Sequence, residues 1–139
     1  MLAQTESYSR GPEFNDGSRE FEDALNEAQF FLNTELDDIA IEDLDEEWDW
    51  SDVNGYDFTG KVVDQGHCGS CYLAATNGML ESRIKIWFGE ERELSMQQRM
   101  DCSFTNEGCH GGWGMFDGLF LEAYGAVAES FAPYTGALS

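Results

Sequence analysis

The chain carries two cysteines three positions apart in the stretch DQGHCGSCYLAA, residues 64–75. A pair with this spacing, beside glycines and ahead of a helix-like run, is compatible with three chemistries. It could be half of a zinc site, a dithiol redox pair, or a disulfide cysteine next to a nucleophile. The chain has two further cysteines, Cys102 and Cys109, and these help to discriminate among the three.

The surrounding residues disfavour zinc and redox chemistry. A four-cysteine zinc site commonly uses two close pairs, but Cys102 and Cys109 are separated by six residues. His67 and His110 each stand beside a cysteine, so both cannot easily converge on one ion. A thioredoxin-like pair follows a hydrophobic strand in alternating strand and helix units, whereas the preceding residues, DQGH, are polar.

A cysteine nucleophile explains the layout around Cys71 better. A thiol in the first turn of a helix meets the positive end of the helix dipole and free N–H groups, which favour the thiolate. Gly69 and Ser70 allow a tight entry into the helix, so that Cys71 can face a cleft. Gln65 stands six residues earlier, where its side-chain amide can donate to a developing oxyanion.

One long helix and three short ones are predicted to position these residues. The long helix covers CYLAATNGMLESRIKIWF and stops at Gly89. A short helix begins after Ser95, and another runs roughly from residue 115 to residue 124. One short strand is predicted at GKVVDQ, and the final FAPYTGALS reads as loop. The apolar face of the long helix is predicted at Leu73, Thr76 or Asn77, Leu80, Ile84 and Trp87.

Acidic residues dominate the N-terminal part of the chain. The formal net charge is -21, with 7 Lys and Arg against 28 Asp and Glu. Residues 1–47 are predicted to be an acidic arm, propeptide-like or a linker, and residues 48–139 a helical domain. The arm contains one amphipathic helix, capped by Ser18, with an apolar stripe at Phe21, Leu25, Ala28 and Leu32.

The same charge limits the classes of partner. Phosphate binding needs clustered Lys and Arg, so nucleic acid and anionic membranes are not expected as partners. No apolar run approaches the ~18 residues of a membrane span, and the start MLAQTESYSR lacks the apolar region of a signal peptide. The acidic run ELDDIAIEDLDEEWDW is either a solvated segment or a surface for a basic partner in a larger assembly.

Several ordered blocks of the sequence resemble papain-family cysteine peptidases. They span about residues 48–136 and are WDWSDVNG, QGHCGSCY, LESRIKI, LSMQQRMDC, GCHGG, YGAVAES and PYTG. Within the family, Tyr72 and the PYTG block resemble the cathepsin C (dipeptidyl peptidase I) group most. The resemblance implies a mainly α chain: the helical left-hand domain of a papain-like α+β fold, with the β-barrel half absent from this chain.

The resemblance also implies roles for matching residues. Cys71 would be the nucleophile, and Gln65 with the Cys71 backbone N–H would form the oxyanion hole. Cys68 would pair with Cys109 in a disulfide, and no metal would be bound. The residues implied in substrate binding are Gly111, Gly112, Trp113 and Met115. A chloride ion is the one cofactor that the cathepsin C group suggests, but Met115 stands where the chloride-binding tyrosine is expected.

The family's general base, a histidine oriented by an asparagine, has no match in this chain. The expected function is a peptidase fragment that hydrolyses peptides, with the base supplied by a C-terminal half or another protein chain. The alternative is a catalytically inactive, peptidase-like accessory subunit. Cys102 is expected to pair with another chain or stay free. A lysosomal or secretory lumen is the expected location, or another organelle's lumen for a subunit of a complex.

Overall fold

The computed structural model describes residues 14–29, 40, 42 and 44–138. The chain divides into two units, Met1–Asp57 and Phe58–Ser139, and the predicted boundary between residues 47 and 48 stays a prediction. The regular elements among the described residues are helices, as predicted: α1 (Arg19–Ala28), α2 (Cys71–Phe88), α3 (Met96–Cys102), a 3-10 turn (Gly108–His110) and α4 (Gly114–Tyr124). Leu32 and most of the predicted arm lie outside the described residues.

Helix α1 organises the first unit. The Ser18 hydroxyl accepts a hydrogen bond from the Phe21 N–H at 3.0 Å, which confirms the predicted N-cap. Phe21 and Ala28 are buried, and the Phe21 ring packs edge-on against Tyr56 with centroids 5.3 Å apart. Phe21 of the predicted apolar stripe therefore packs against an aromatic residue within this unit.

Helix α2 is the longest helix and forms the centre of the second unit. It begins at Cys71 and ends at Gly89, which adopts a left-handed conformation with φ 61° and donates its N–H to the Lys85 carbonyl. Both bounds agree with the prediction. Helices α3 and α4 each pack against α2, and α3 also contacts the 3-10 turn.

The core of the second unit lies where α2 meets α3. It consists of Cys68, Tyr72, Leu73, Met96 and Met100, with Tyr134 packed against it. Ser95 caps α3 by accepting the Gln98 N–H, and α4 ends at Gly125, as the sequence predicted. This core therefore includes the residues on either side of Cys71, which fixes the start of α2.

Two details of the predicted fold are wrong. The segment GKVVDQ forms no strand: Gly60 donates its N–H to the Ser82 hydroxyl, and Val62 is 94% exposed. A strand needs a neighbouring strand, and here the neighbour is a helix. On α2, Trp87 is 47% exposed, whereas Glu81 and Lys85 are buried. Glu81 is buried because its carboxylate accepts the Leu94 N–H at 2.8 Å.

Candidate active site

Cys71 is the first residue of α2, and its thiol is exposed and free. The chain reaches it through Gly69, whose N–H donates to the Cys109 carbonyl at 2.8 Å. A Cβ at position 69 would lie 2.6 Å from that oxygen, so only glycine allows this approach. The sulfur therefore stands at the N-terminal end of an 18-residue helix, where the backbone favours negative charge.

A disulfide joins Cys68 to Cys109, with Cα atoms 4.5 Å apart. Its Cys68 sulfur also lies 3.4 Å from the thioether of Met100 on α3. The pairing answers the question raised by the sequence, because Cys68 bonds neither Cys71 nor a metal. Among the described residues no group of three or more His, Cys, Asp or Glu side chains could hold a metal ion.

Two N–H groups of this segment keep a hydrogen that could be donated to an oxyanion. The Gln65 side-chain amide donates one hydrogen to the Cys68 carbonyl at 2.7 Å. An amide nitrogen carries two hydrogens, so Gln65 keeps a second donor. Within the described part of the chain, no acceptor takes a hydrogen bond from the Cys71 backbone N–H. These two groups are the donors that the sequence suggested for an oxyanion.

Asn106 fixes the glycine segment that was expected to bind substrate. Its side-chain oxygen accepts the Trp113 N–H at 2.8 Å, and Glu107 donates its N–H to the Gly111 carbonyl at 3.1 Å. A Cβ on Gly112 would lie 2.5 Å from the Asn106 oxygen, so a side chain at position 112 would displace Asn106. Asn106 was not identified from the sequence.

Trp113 and Met115, the expected subsite residues, are 73% and 72% exposed. Both lie at the start of α4, next to the glycine segment. Their apolar surfaces are therefore accessible to a ligand. A cavity of about 170 Å³ in the second unit is lined by residues that include Glu81, Leu94 and Met96 but not Cys71.

A buried ion pair, which the sequence analysis also missed, joins α3 to α4, and Trp113 and Met115 lie at the start of α4. Arg99 on α3 and Asp117 on α4 are both fully buried, and Arg99 Nε lies 3.0 Å from an Asp117 oxygen. Arg99 also donates to the Ser95 carbonyl at 2.7 Å and to the side chain of Asn77 on α2, while Thr76 donates to Asp117. Burial lowers the pKa of Arg99, and the charge of Asp117 opposes that shift.

His67 and His110 are exposed, and neither imidazole makes a hydrogen bond or ion pair with another described residue. The structure therefore assigns neither histidine to Cys71. Cys102 is also exposed and forms no disulfide with another described cysteine, and its expected pairing or free state stays a prediction. No helix in the described part of the chain is long and apolar enough to cross a membrane.

Comparisons with known proteins agree with this arrangement. A family model described as papain family cysteine protease matches residues 44–139. Pro-cathepsin H of Medicago truncatula is 42% identical over 79 residues, which make up 55% of this chain and 23% of that protein. Cathepsin C of Schistosoma mansoni is 40% identical over 78 residues, 54% of this chain and 17% of that protein. The bromelain protease from Ananas comosus in complex with the E64 inhibitor is similar in structure, with a TM-score of 0.61, 31% identity and coverage of 69% of this chain and 43% of that chain.

The chain belongs to the papain family of cysteine proteases. It spans about a quarter of the length of the first curated relatives that it matches. A cathepsin H and a cathepsin C match it with nearly the same identity, so the comparisons favour neither group.

Proposed function

We propose that this chain supplies the nucleophile side of a papain-like cysteine peptidase that hydrolyses peptide bonds. One observation carries the proposal: an exposed Cys71 thiol stands at the start of α2, and both its own N–H and the Gln65 amide keep a hydrogen that no described acceptor takes. The Cys71 sulfur would attack the scissile carbonyl carbon, and the Gln65 amide and the Cys71 N–H would stabilise the oxyanion. The C–N bond then breaks, the amine leaves with a proton, and water hydrolyses the thioester.

The general base of this reaction is proposed to come from outside the described residues. Neither His67 nor His110 contacts the Cys71 sulfur, and removing the base from such a unit lowers the rate by orders of magnitude. The substrate would be a peptide whose backbone pairs with Gly111 and Gly112, with a side chain against Trp113 and Met115. The close approach of Asn106 at Gly112 supports this use, because it holds the segment in one conformation.

Cathepsin C-like release of dipeptides is the finer form of the proposal. Tyr72 and the PYTG block support it, and a chloride ion is not needed for the proposed chemistry. The full-length native protein should then cleave a dipeptidyl-amide substrate faster than the same substrate with a blocked N-terminus. Equal rates would refute dipeptide release and leave peptide hydrolysis intact. The Cys68–Cys109 disulfide supports an oxidising lumen, lysosomal or secretory, as the location.

Labelling with E-64 tests the nucleophile. We expect one adduct per full-length native protein, located on Cys71 by peptide mapping. Cys102 provides a control because it is also exposed and forms no disulfide with another described cysteine. Cys71→Ser should abolish labelling, and Cys102→Ser should leave it unchanged.

Iodoacetamide separates the two functions. If it modifies Cys71 while E-64 does not, the thiol is accessible but not activated, and the proposal fails in favour of an inactive accessory subunit. Equal E-64 labelling of Cys71 and Cys102 would also contradict the proposal.

A further inference from the structure

The hydroxyl of Tyr134 lies between two atoms of the nucleophile loop, defined here as residues 65–70. It donates to the Gln65 carbonyl at 3.0 Å and lies 2.5 Å from the Ser70 hydroxyl. Tyr134 comes from the PYTG block, more than 60 residues later in the chain. The proposed mechanism gives this tyrosine no role.

The directions of these hydrogen bonds follow from the groups involved. A carbonyl oxygen can only accept, and the Tyr134 hydroxyl has one proton, so Tyr134 donates to Gln65. The Ser70 hydroxyl must then donate to the Tyr134 oxygen. The result is a chain from Ser70 through Tyr134 to Gln65, in which each bond strengthens the next. Ser70 is fully buried, so water does not compete for its hydroxyl.

Tyr134 is itself held by α3 through a strap, defined as residues 132–137. The Ser95 hydroxyl donates to the Ala132 carbonyl at 2.6 Å, and Gln97 donates to the Ala137 carbonyl at 2.8 Å. The Tyr134 N–H donates to a Glu129 carboxylate oxygen at 2.7 Å. The backbone on either side of Tyr134 is therefore held in place, so its hydroxyl can hold the nucleophile loop.

The strap and the disulfide constrain different parts of the nucleophile loop. The disulfide and the Gly69–Cys109 hydrogen bond fix its middle, at Cys68 and Gly69. Tyr134 fixes its two ends, at Gln65 and Ser70. Gln65 carries the proposed oxyanion donor, and Ser70 is the residue directly before Cys71.

We propose that Tyr134 is a positioning residue that keeps the Gln65 amide and Cys71 in their relative places for attack and oxyanion stabilisation. The inference rests on the proposed function. It predicts that loss of the hydroxyl affects the chemical step more than substrate binding, because Tyr134 reaches the loop and not the glycine segment. If Tyr134 had a merely structural role, its loss would lower stability without lowering kcat more than it changes KM.

The test is Tyr134→Phe in the full-length native protein, with kcat, KM and thermal stability measured on a peptide substrate. We expect kcat to fall about 10-fold, less than the ~10²–10³ lost with an oxyanion donor itself, while KM stays within about 2-fold. Tyr124→Phe is the matched control. It removes the same phenol hydroxyl from an exposed residue of α4 that no hydrogen bond links to the nucleophile loop, so it should leave kcat unchanged.

Ser70→Ala removes the other hydroxyl from the hydrogen-bond chain that runs from Ser70 through Tyr134 to Gln65. It should lower kcat by about 3-fold, because the Tyr134–Gln65 bond remains, and the double variant should be no slower than Tyr134→Phe. If the native protein hydrolyses peptides but Tyr134→Phe matches Tyr124→Phe in kcat, or changes only KM, the inference is overturned while the proposed function stands. If the native protein hydrolyses nothing, the proposed function fails and this inference fails with it.

Discussion

Replacing Arg99 by methionine removes the cation from the buried ion pair that joins α3 to α4. Methionine has a similar length and needs no hydrogen bonds, so the substitution removes charge more than volume. Asp117 would stay fully buried with Thr76 as its remaining hydrogen-bond donor. Asn77 and Ser95 would each lose the Arg99 donor as well.

The expected loss of stability is large. Breaking a buried ion pair by removing one partner costs about 3–5 kcal/mol, because the other charge stays buried without compensation. A domain of this size is stable by roughly 5–15 kcal/mol, so Arg99→Met should remove a large part of the total. The double variant Arg99→Met with Asp117→Leu removes both charges of this pair and should cost much less than Arg99→Met alone.

Urea unfolding, followed by tryptophan fluorescence, measures these differences. Arg92→Met is the control, because Arg92 pairs with Glu90 at the surface and its loss should change stability by less than about 0.5 kcal/mol. The reasoning is refuted if Arg99→Met costs less than about 1 kcal/mol, well below the range for a broken buried pair. It is also refuted if the double variant costs as much as the two single variants together.

Gly112→Ala should destabilise the protein by about 1–3 kcal/mol through its clash with Asn106, and by less in an Asn106→Ala background; additive losses in a urea-unfolding cycle would contradict the clash. Replacing Cys68 and Cys109 by serine should lower the free energy of unfolding by about 4 kcal/mol, given the 41-residue separation; a loss below about 1 kcal/mol in the same assay would contradict this expectation. Burial raises the pKa of Glu81 above its ordinary value of 4.5, so its charged form weakens the fold near neutral pH. The stability of the wild type relative to Glu81→Gln should rise as the pH falls from 7 towards 4.5, and a difference that is constant with pH would show that Glu81 titrates normally.

Features that depend on neighbouring residues could be predicted from the sequence. Ser18 and Ser95 cap their helices and Gly89 ends α2, because each effect acts within one turn of chain. Cys71 was placed correctly at the start of α2 for the same reason. The Cys68–Cys109 disulfide was implied only by the family resemblance, since spacing alone leaves the pairing open.

Features that depend on distant residues were missed. Arg99 and Asp117 are 18 positions apart on different helices, and a charged residue on a short helix is ordinarily read as exposed. Tyr134 is 64 positions from Ser70, so no local pattern indicates their contact. The strand prediction at GKVVDQ failed because a short segment with two valines does not reveal whether a second strand is available to pair with it.

The position of the strap also has a consequence for protein synthesis. A ribosome makes residues 65–70 long before it makes Tyr134, so the growing chain contains Cys71 at a stage when the two ends of that loop have no tyrosine hydroxyl to bind. The partner cysteine of Cys68 is made earlier, at residue 109. The Cys68–Cys109 disulfide can thus close before the loop is fully ordered, and the thiol would acquire its working surroundings only after Tyr134 has been made.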